Sequence, residues 1–215
     1  MNGFEKQELE TQGMMSRLFG SKPGHNALVE INNFLAESTA ATELTEEIVS
    51  NFIKNWGAKF DSSNIEYRSS MYRKVADYVY ISAVSKDDPV FEETRHLAQV
   101  LELPEKLQRL ADNGAKKVAY FSRCRKIISG EEPLTISEIN NVFGYDYEDG
   151  YDIRVQVFHD YLNKKFDEIA EQQRFSPDEE TALREICTKL DIPYEFKPNI
   201  QNALDKYRYL WSAEN

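Results

Sequence analysis

Cysteine is scarce in this chain. Cys124 and Cys187 are the two among 215 residues, and neither belongs to a CxxC pair. Two unpatterned thiols do not make a disulfide framework; they fit buried side chains in a reducing compartment. Histidine is also sparse, and His25, His96 and His159 show no HxxxH or HExxH spacing, which leaves no histidine-based metal motif. GxSxG, P-loop and GxGxxG patterns are missing as well, so the chain presents no clustered nucleophile and no phosphate cradle. Long apolar runs are lacking. The longest, from Val75 to Val84, contains Asp77 and is far too short to cross a bilayer. Met1-Asn2-Gly3-Phe4-Glu5-Lys6 has no basic segment leading into an apolar one, which argues against a secretory signal. Positive charge is in deficit, with 26 Lys and Arg against 37 Asp and Glu and a net charge of −11. Holding nucleic acid by phosphate neutralisation needs the opposite balance. These absences point to a cytoplasmic protein with no catalytic residues, no cofactor, no membrane insertion and no direct nucleic-acid contact.

What remains is a globular composition, 41% hydrophobic and 12% aromatic, enough to bury a real core in one large or two small domains. No segment alternates cleanly between apolar and polar residues, and the expected class is all-α. A helical pattern occurs twice. Asp88-Pro89-Val90-Phe91-Glu92-Glu93 leads through Leu97 and Leu101 to Leu103-Pro104; Ser176-Pro177-Asp178-Glu179-Glu180 leads through Leu183, Ile186 and Leu190 to Ile192-Pro193. Each reads as a helix with Asp88 or Ser176 at its N-cap, proline in the first turn, acids following and a closing proline. Leu97, Leu101, Pro104, Asn113 and Lys117 recur 89 residues later as Ile186, Leu190, Pro193, Asn202 and Lys206. Upstream, Leu44-Thr45 matches Leu134-Thr135 and Phe52 matches Phe143 with small shifts in spacing. A period this long suggests duplication of a small domain rather than a solenoid.

The expected organisation is two similar helical bundles in tandem with an N-terminal helical extension. Residues 1–38 form the arm, 39–128 the first repeat and 134–215 the second. In the arm, Phe4, Leu9, Met14 and Leu18 have loose helical spacing, and Leu28, Ile31 and Leu35 share one face of a second helix. Met14-Met15 and Phe19 would suit adaptable contact if the arm docks on a partner. The first repeat opens at Thr45, continues in a long helix from about Ile65 to Val84, and closes with a short piece around Leu107 and Leu110 and a helix from Ala115 to Ile128. Lys116, Lys117, Arg123, Arg125 and Lys126 on that last helix are the one basic concentration, placed where they complement the macrodipole. Gly130-Glu131-Glu132-Pro133 supplies a linker composition. Thr135 and Glu138 make a capping box that opens the second repeat. Val155 to Ile169 marks a long helix, and Ile200 to Trp211 the last one.

The loop Tyr145-Asp146-Tyr147-Glu148-Asp149-Gly150-Tyr151-Asp152 is the strongest candidate for a cation site. It does not follow the EF-hand register: Gly150 at the sixth position puts Tyr145 first and Gln156 twelfth, neither of them the ligand type required there. An acidic turn in solvent is the simpler reading, and no metal ligands are assigned.

The run of long helix, polar turn, Ser176-Pro177-Asp178-Glu179-Glu180, Leu183, Ile186-Cys187 and Leu190-Asp191-Ile192 resembles the TerB-like helical domain family. The tail from Leu204 through Tyr207 to Trp211 resembles a helix that follows such domains. The match covers residues 155–212 best. The resemblance implies an all-α fold and a part in tellurite resistance, stress response or phage defence, often within larger assemblies. Some members hold metal through an Ala-Asp-Gly turn before the capped helix. Here that place reads Ala170-Glu171-Gln172-Gln173-Arg174-Phe175, and the metal site does not carry over.

The leading expectation is a non-enzymatic protein-binding module or adaptor in such a system, with another protein as partner. Two domains side by side create a groove that Tyr207, Tyr209 and Trp211 would line, with Asp146 and Asp149 as further contacts. Two alternatives differ in kind. An acidic decoy inhibitor of a nucleic-acid-binding protein, phage-encoded for instance, needs carboxylates gathered on one face. A divalent-metal sensor needs Asp146, Glu148, Asp149 and Asp152 to converge.

Overall fold

The computed structural model describes residues 3–9 and 23–214. Among them are nine α-helices and no strand. They are α1 (Pro23–Glu37), a 3-10 turn (Ala41–Glu43), α2 (Glu46–Asn55), α3 (Ile65–Ser82), α4 (Phe91–Val100), α5 (Glu105–Ser129), α6 (Ile136–Phe143), α7 (Tyr151–Gln172), α8 (Pro177–Lys189) and α9 (Pro198–Glu214). The chain packs as two compact units, Met1–Ala83 with Asp87–Ala119, and Val84–Lys86 with Tyr120–Asn215. The division falls inside α5, and the stretch 128–133 belongs to the second unit.

The first unit is built around apolar faces that the helical spacing anticipates. Leu28, Ile31 and Leu35 of α1, Met71, Val75 and Val79 of α3, and Leu97 and Leu101 around α4 make one buried cluster. Each fully buried aliphatic side chain contributes about 1.5–3 kcal/mol, which is how short helices such as α2 and α4 persist. Phe4 joins this core, with Lys74 Nζ 4.9 Å from its ring centroid. It does so from non-helical chain, since residues 4–9 form no helix. Met14, Met15 and Phe19 lie outside the described residues. The second unit buries Ile136, Ile139 and Phe143 of α6, Phe158 and Leu162 of α7, Leu183 and Ile186 of α8, and Leu204 of α9. Phe175 is fully buried just ahead of α8, and its backbone N–H donates to the Tyr207 carbonyl of α9.

Local devices recur between the units. Thr45 and Thr135 cap α2 and α6, each accepting a backbone N–H three residues on. Both α4 and α8 end in a Schellman turn. Leu103 N–H bonds Ala98 O and Ile192 N–H bonds Cys187 O, with Glu102 (φ 47°) and Asp191 (φ 52°) in the left-handed region and proline soon after. The fourth residue of α3 and of α7 is a buried arginine, Arg68 and Arg154. Each donates to the carbonyl seven residues earlier, Asp61 at 3.0 Å and Tyr147 at 2.9 Å.

Two expectations are corrected. Asp88 does not cap α4: its carboxylate accepts the Val90 N–H at 3.0 Å, closing an Asx turn, and the helix starts at Phe91. The short piece at Leu107 and the helix from Ala115 are one 25-residue helix, α5. Gly114 does not break it, because a helical glycine costs only about 1 kcal/mol. At this position it makes room for the Arg73 guanidinium.

Candidate functional site

The acidic loop between α6 and α7 is held from within. Gly144 ends α6 with φ 64°. Asp146 Oδ1 then accepts the N–H groups of Glu148 (2.9 Å) and Asp149 (3.0 Å), while Asp149 Oδ2 accepts the Asp146 N–H at 3.0 Å. Asp146 and Asp149 therefore shape the loop, and Glu148 is left exposed on it. No group of three or more His, Cys, Asp or Glu that could hold a metal occurs among the described residues.

Arg154 anchors the loop from beneath. It is fully buried, donates to Tyr147 O and to Tyr120 Oη (3.4 Å), and lies over the Tyr147 ring at 4.5 Å. Tyr120 closes the other side. Its hydroxyl donates to Asn140 Oδ1 at 2.7 Å, and its ring packs against Phe143 and Tyr145. Burial pushes this phenol up to about 12. The ring passes so close to Gly150 that a side chain there would collide with it.

Tyr147 is thereby presented outward, 45% exposed, with its ring 5.7 Å from Tyr151 and its hydroxyl donating to Asp191 O at 3.3 Å. Between these groups lies a cavity of about 560 Å³, walled by Tyr147, Glu148, Tyr151, Thr188, Asp191, Ile192 and Pro193. It adjoins two others within the same unit. One, about 530 Å³, shares Thr188 and Asp191 and runs along Ile127, Gly130 and residues 132–137. The other, about 290 Å³, shares Tyr151, Ile192 and Pro193 and reaches Phe158, His159 and Phe196. Together they form a groove that crosses the left-handed turn at the end of α8.

The two thiols and the basic concentration on α5 are not among its wall residues. Cys124 and Cys187 are buried, and burial pushes their thiols up to about 12 and about 11, which suppresses the nucleophilic thiolate. Of the basic concentration on α5, Arg123 is buried, with Glu132 3.8 Å away, while Lys117, Arg125 and Lys126 are exposed. Lys116 stands 5.6 Å from the Tyr80 ring.

Tyr207, Tyr209 and Trp211 all lie on α9 but do not share a face. Tyr207 is half-buried against Phe166 with ring centroids 6.3 Å apart, Trp211 is half-buried one turn later, and Tyr209 is 71% exposed. Residues two apart on a helix are about 200° apart, following from 3.6 residues per turn. Asp146 and Asp149 are brought together, as hydrogen-bond partners of each other's backbone. Sequence reasoning missed Arg154, Thr188 and Asp191. An arginine on an amphipathic helix reads as solvent-facing, and nothing local marks a left-handed aspartate. The Gly-free recurrence of Leu-Glu-Leu-Pro at 101–104 as Leu-Asp-Ile-Pro at 190–193 was the available signal.

Compared with protein-family models, with curated proteins and with solved structures, the chain matches none.

Proposed function

We propose that this chain is a non-enzymatic protein-binding module or adaptor, and that the groove of the second unit is its contact surface. The observation that carries the reading is the run of three adjoining cavities, two of which share Thr188 and Asp191 and two Tyr151, Ile192 and Pro193. Adjoining depressions of this kind, two of them with aromatic walls, suit a segment of another protein. The buried thiols, with their thiolate forms suppressed, favour binding over catalysis. The resemblance to TerB-like domains suggests a bacterial stress or phage-defence setting.

The paired capping threonines, Schellman turns and buried arginines support an origin by tandem duplication.

Affinity capture on the full chain, read by quantitative mass spectrometry, tests the reading. A genuine partner is enriched on the wild type, lost on Glu148→Lys, and kept on Glu66→Lys, an exposed charge reversal in the first unit. Equal capture by all three, or no specific partner, overturns it.

A further inference from the structure

The two Schellman turns receive different donors. In the first unit the Arg68 guanidinium closes onto the turn, donating from Nη1 to Leu101 O at 2.7 Å and Glu102 O at 3.1 Å. Its counterpart Arg154 is directed elsewhere, to Tyr120 and Tyr147. The turn at Asp191 receives the Tyr147 hydroxyl instead, at 3.3 Å, and beside it lies the 560 Å³ cavity. Two carboxylates, Glu148 and Asp191, line this cavity, and none of its lining residues is basic. Tyr147 and Tyr151 supply aromatic walls, and Pro193 closes the apolar side. Arg154 is buried, 4.5 Å from the Tyr147 ring centroid and 5.7 Å from that of Tyr151, and is not among the residues that line the cavity. The basic residues that line the rest of the groove, Lys189 and Lys197, belong to the adjoining cavities.

We infer that this cavity takes an arginine side chain of a protein partner, a guanidinium from outside standing at a turn where the first unit uses its own. A planar guanidinium matches the site on three counts. It forks onto carboxylates, donates to carbonyl oxygens and stacks on tyrosine, whereas an ammonium does so as a point charge. The inference rests on the protein-binding reading and names the chemistry recognised at that groove.

The test uses the full chain and three capped tripeptides, Gly-Arg-Gly, Gly-Lys-Gly and the citrulline analogue, which keeps the shape without the charge. Amide chemical shifts of ¹⁵N-labelled protein are followed during titration. The arginine peptide should move Glu148, Tyr151, Thr188 and Asp191 in a saturable way, at least fivefold more tightly than the lysine peptide. Raising the salt concentration should weaken it. Glu148→Gln and Asp191→Asn should each reduce affinity several-fold. Both leave the fold intact, since Glu148 is exposed and asparagine tolerates the left-handed conformation at 191. Equal binding of the citrulline or lysine peptide, or no shift at these residues with the spectrum otherwise folded, overturns the inference. If the peptide fails while a captured partner is still released by Glu148→Lys, the arginine pocket falls and the binding module stands. If the peptide binds but no partner is captured, the reverse holds.

Discussion

Gly150→Ala is the substitution for which the structure commits to a large effect. Gly150 has φ −102° and ψ −5°, a conformation open to any residue, so backbone strain does not explain the glycine. Space does. A Cβ at this position would stand 2.5 Å from Tyr120 Cζ and 2.7 Å from Cε1, and closer still to the hydroxyl. The ring has no way out. It is fully buried, packed among Phe143 and Tyr145, and tied through its hydroxyl to Asn140. Forcing a methyl group into such packing costs about 1–3 kcal/mol. Alanine is also a slightly poorer N-cap than glycine at the start of α7. A chain of this size loses about 2–4 °C in Tm per kcal/mol. Thermal denaturation followed by circular dichroism should therefore show a drop of about 2–12 °C, by combining those two ranges. Tyr120→Phe removes the nearest atom and leaves the ring carbons, so the double variant should recover only part of the loss. A Gly150→Ala protein that melts within about 1 °C of wild type would refute the reasoning, because the ring would then have moved at no cost.

Gly114→Ala looks alike on paper and should behave oppositely. The added Cβ meets the Arg73 guanidinium, the far end of a flexible, partly exposed side chain that can swing aside, while α5 gains up to about 1 kcal/mol of helix propensity; a Tm unchanged or raised is expected. Arg154→Met should cost about 1–3 kcal/mol by chemical denaturation, since the Tyr147 carbonyl loses a charge-assisted donor at a part-buried position. Arg154→Lys should not restore stability, because an ammonium cannot reach both partners as the fork does. Burial raises the Asp112 carboxyl above the usual aspartate range, although Tyr72 donates to it at 2.9 Å. A raised folded-state value means that its contribution is full below the ordinary aspartate value and is lost as pH rises through the folded one. Asp112→Asn keeps an acceptor for Tyr72, and urea melts should find it more stable than wild type at pH 7 and no more stable at pH 3.

How much of this was legible in the residue order follows from what is local. The caps at Thr45, Thr135 and Ser176 were readable because a capping side chain and its backbone partner lie within three residues. So were the apolar faces of α1, α3 and α7, which need only a period of 3.6, and hence the all-α class. Local signals also misled. Asp88 made an Asx turn where a cap was expected, a competition that the same side chain can win either way. The piece around Leu107 and Leu110 was read apart from the helix at Ala115, where one helix runs through and Gly114 leaves room for a side chain from α3. The aromatic run at the end of the chain suggested one stripe, but helical geometry turns Tyr209 away from Tyr207 and Trp211.

By itself the sequence determined a helical, acidic protein with a pattern stated twice, because periodicity, capping and composition are properties of neighbours along the chain. Only the tertiary structure decided that Asp146 and Asp149 serve their own loop, that Arg154 goes inside, and that Tyr147 meets Asp191 across 44 residues. Those outcomes depend on which side chain fills which space once distant segments pack, and no window along the chain carries that information.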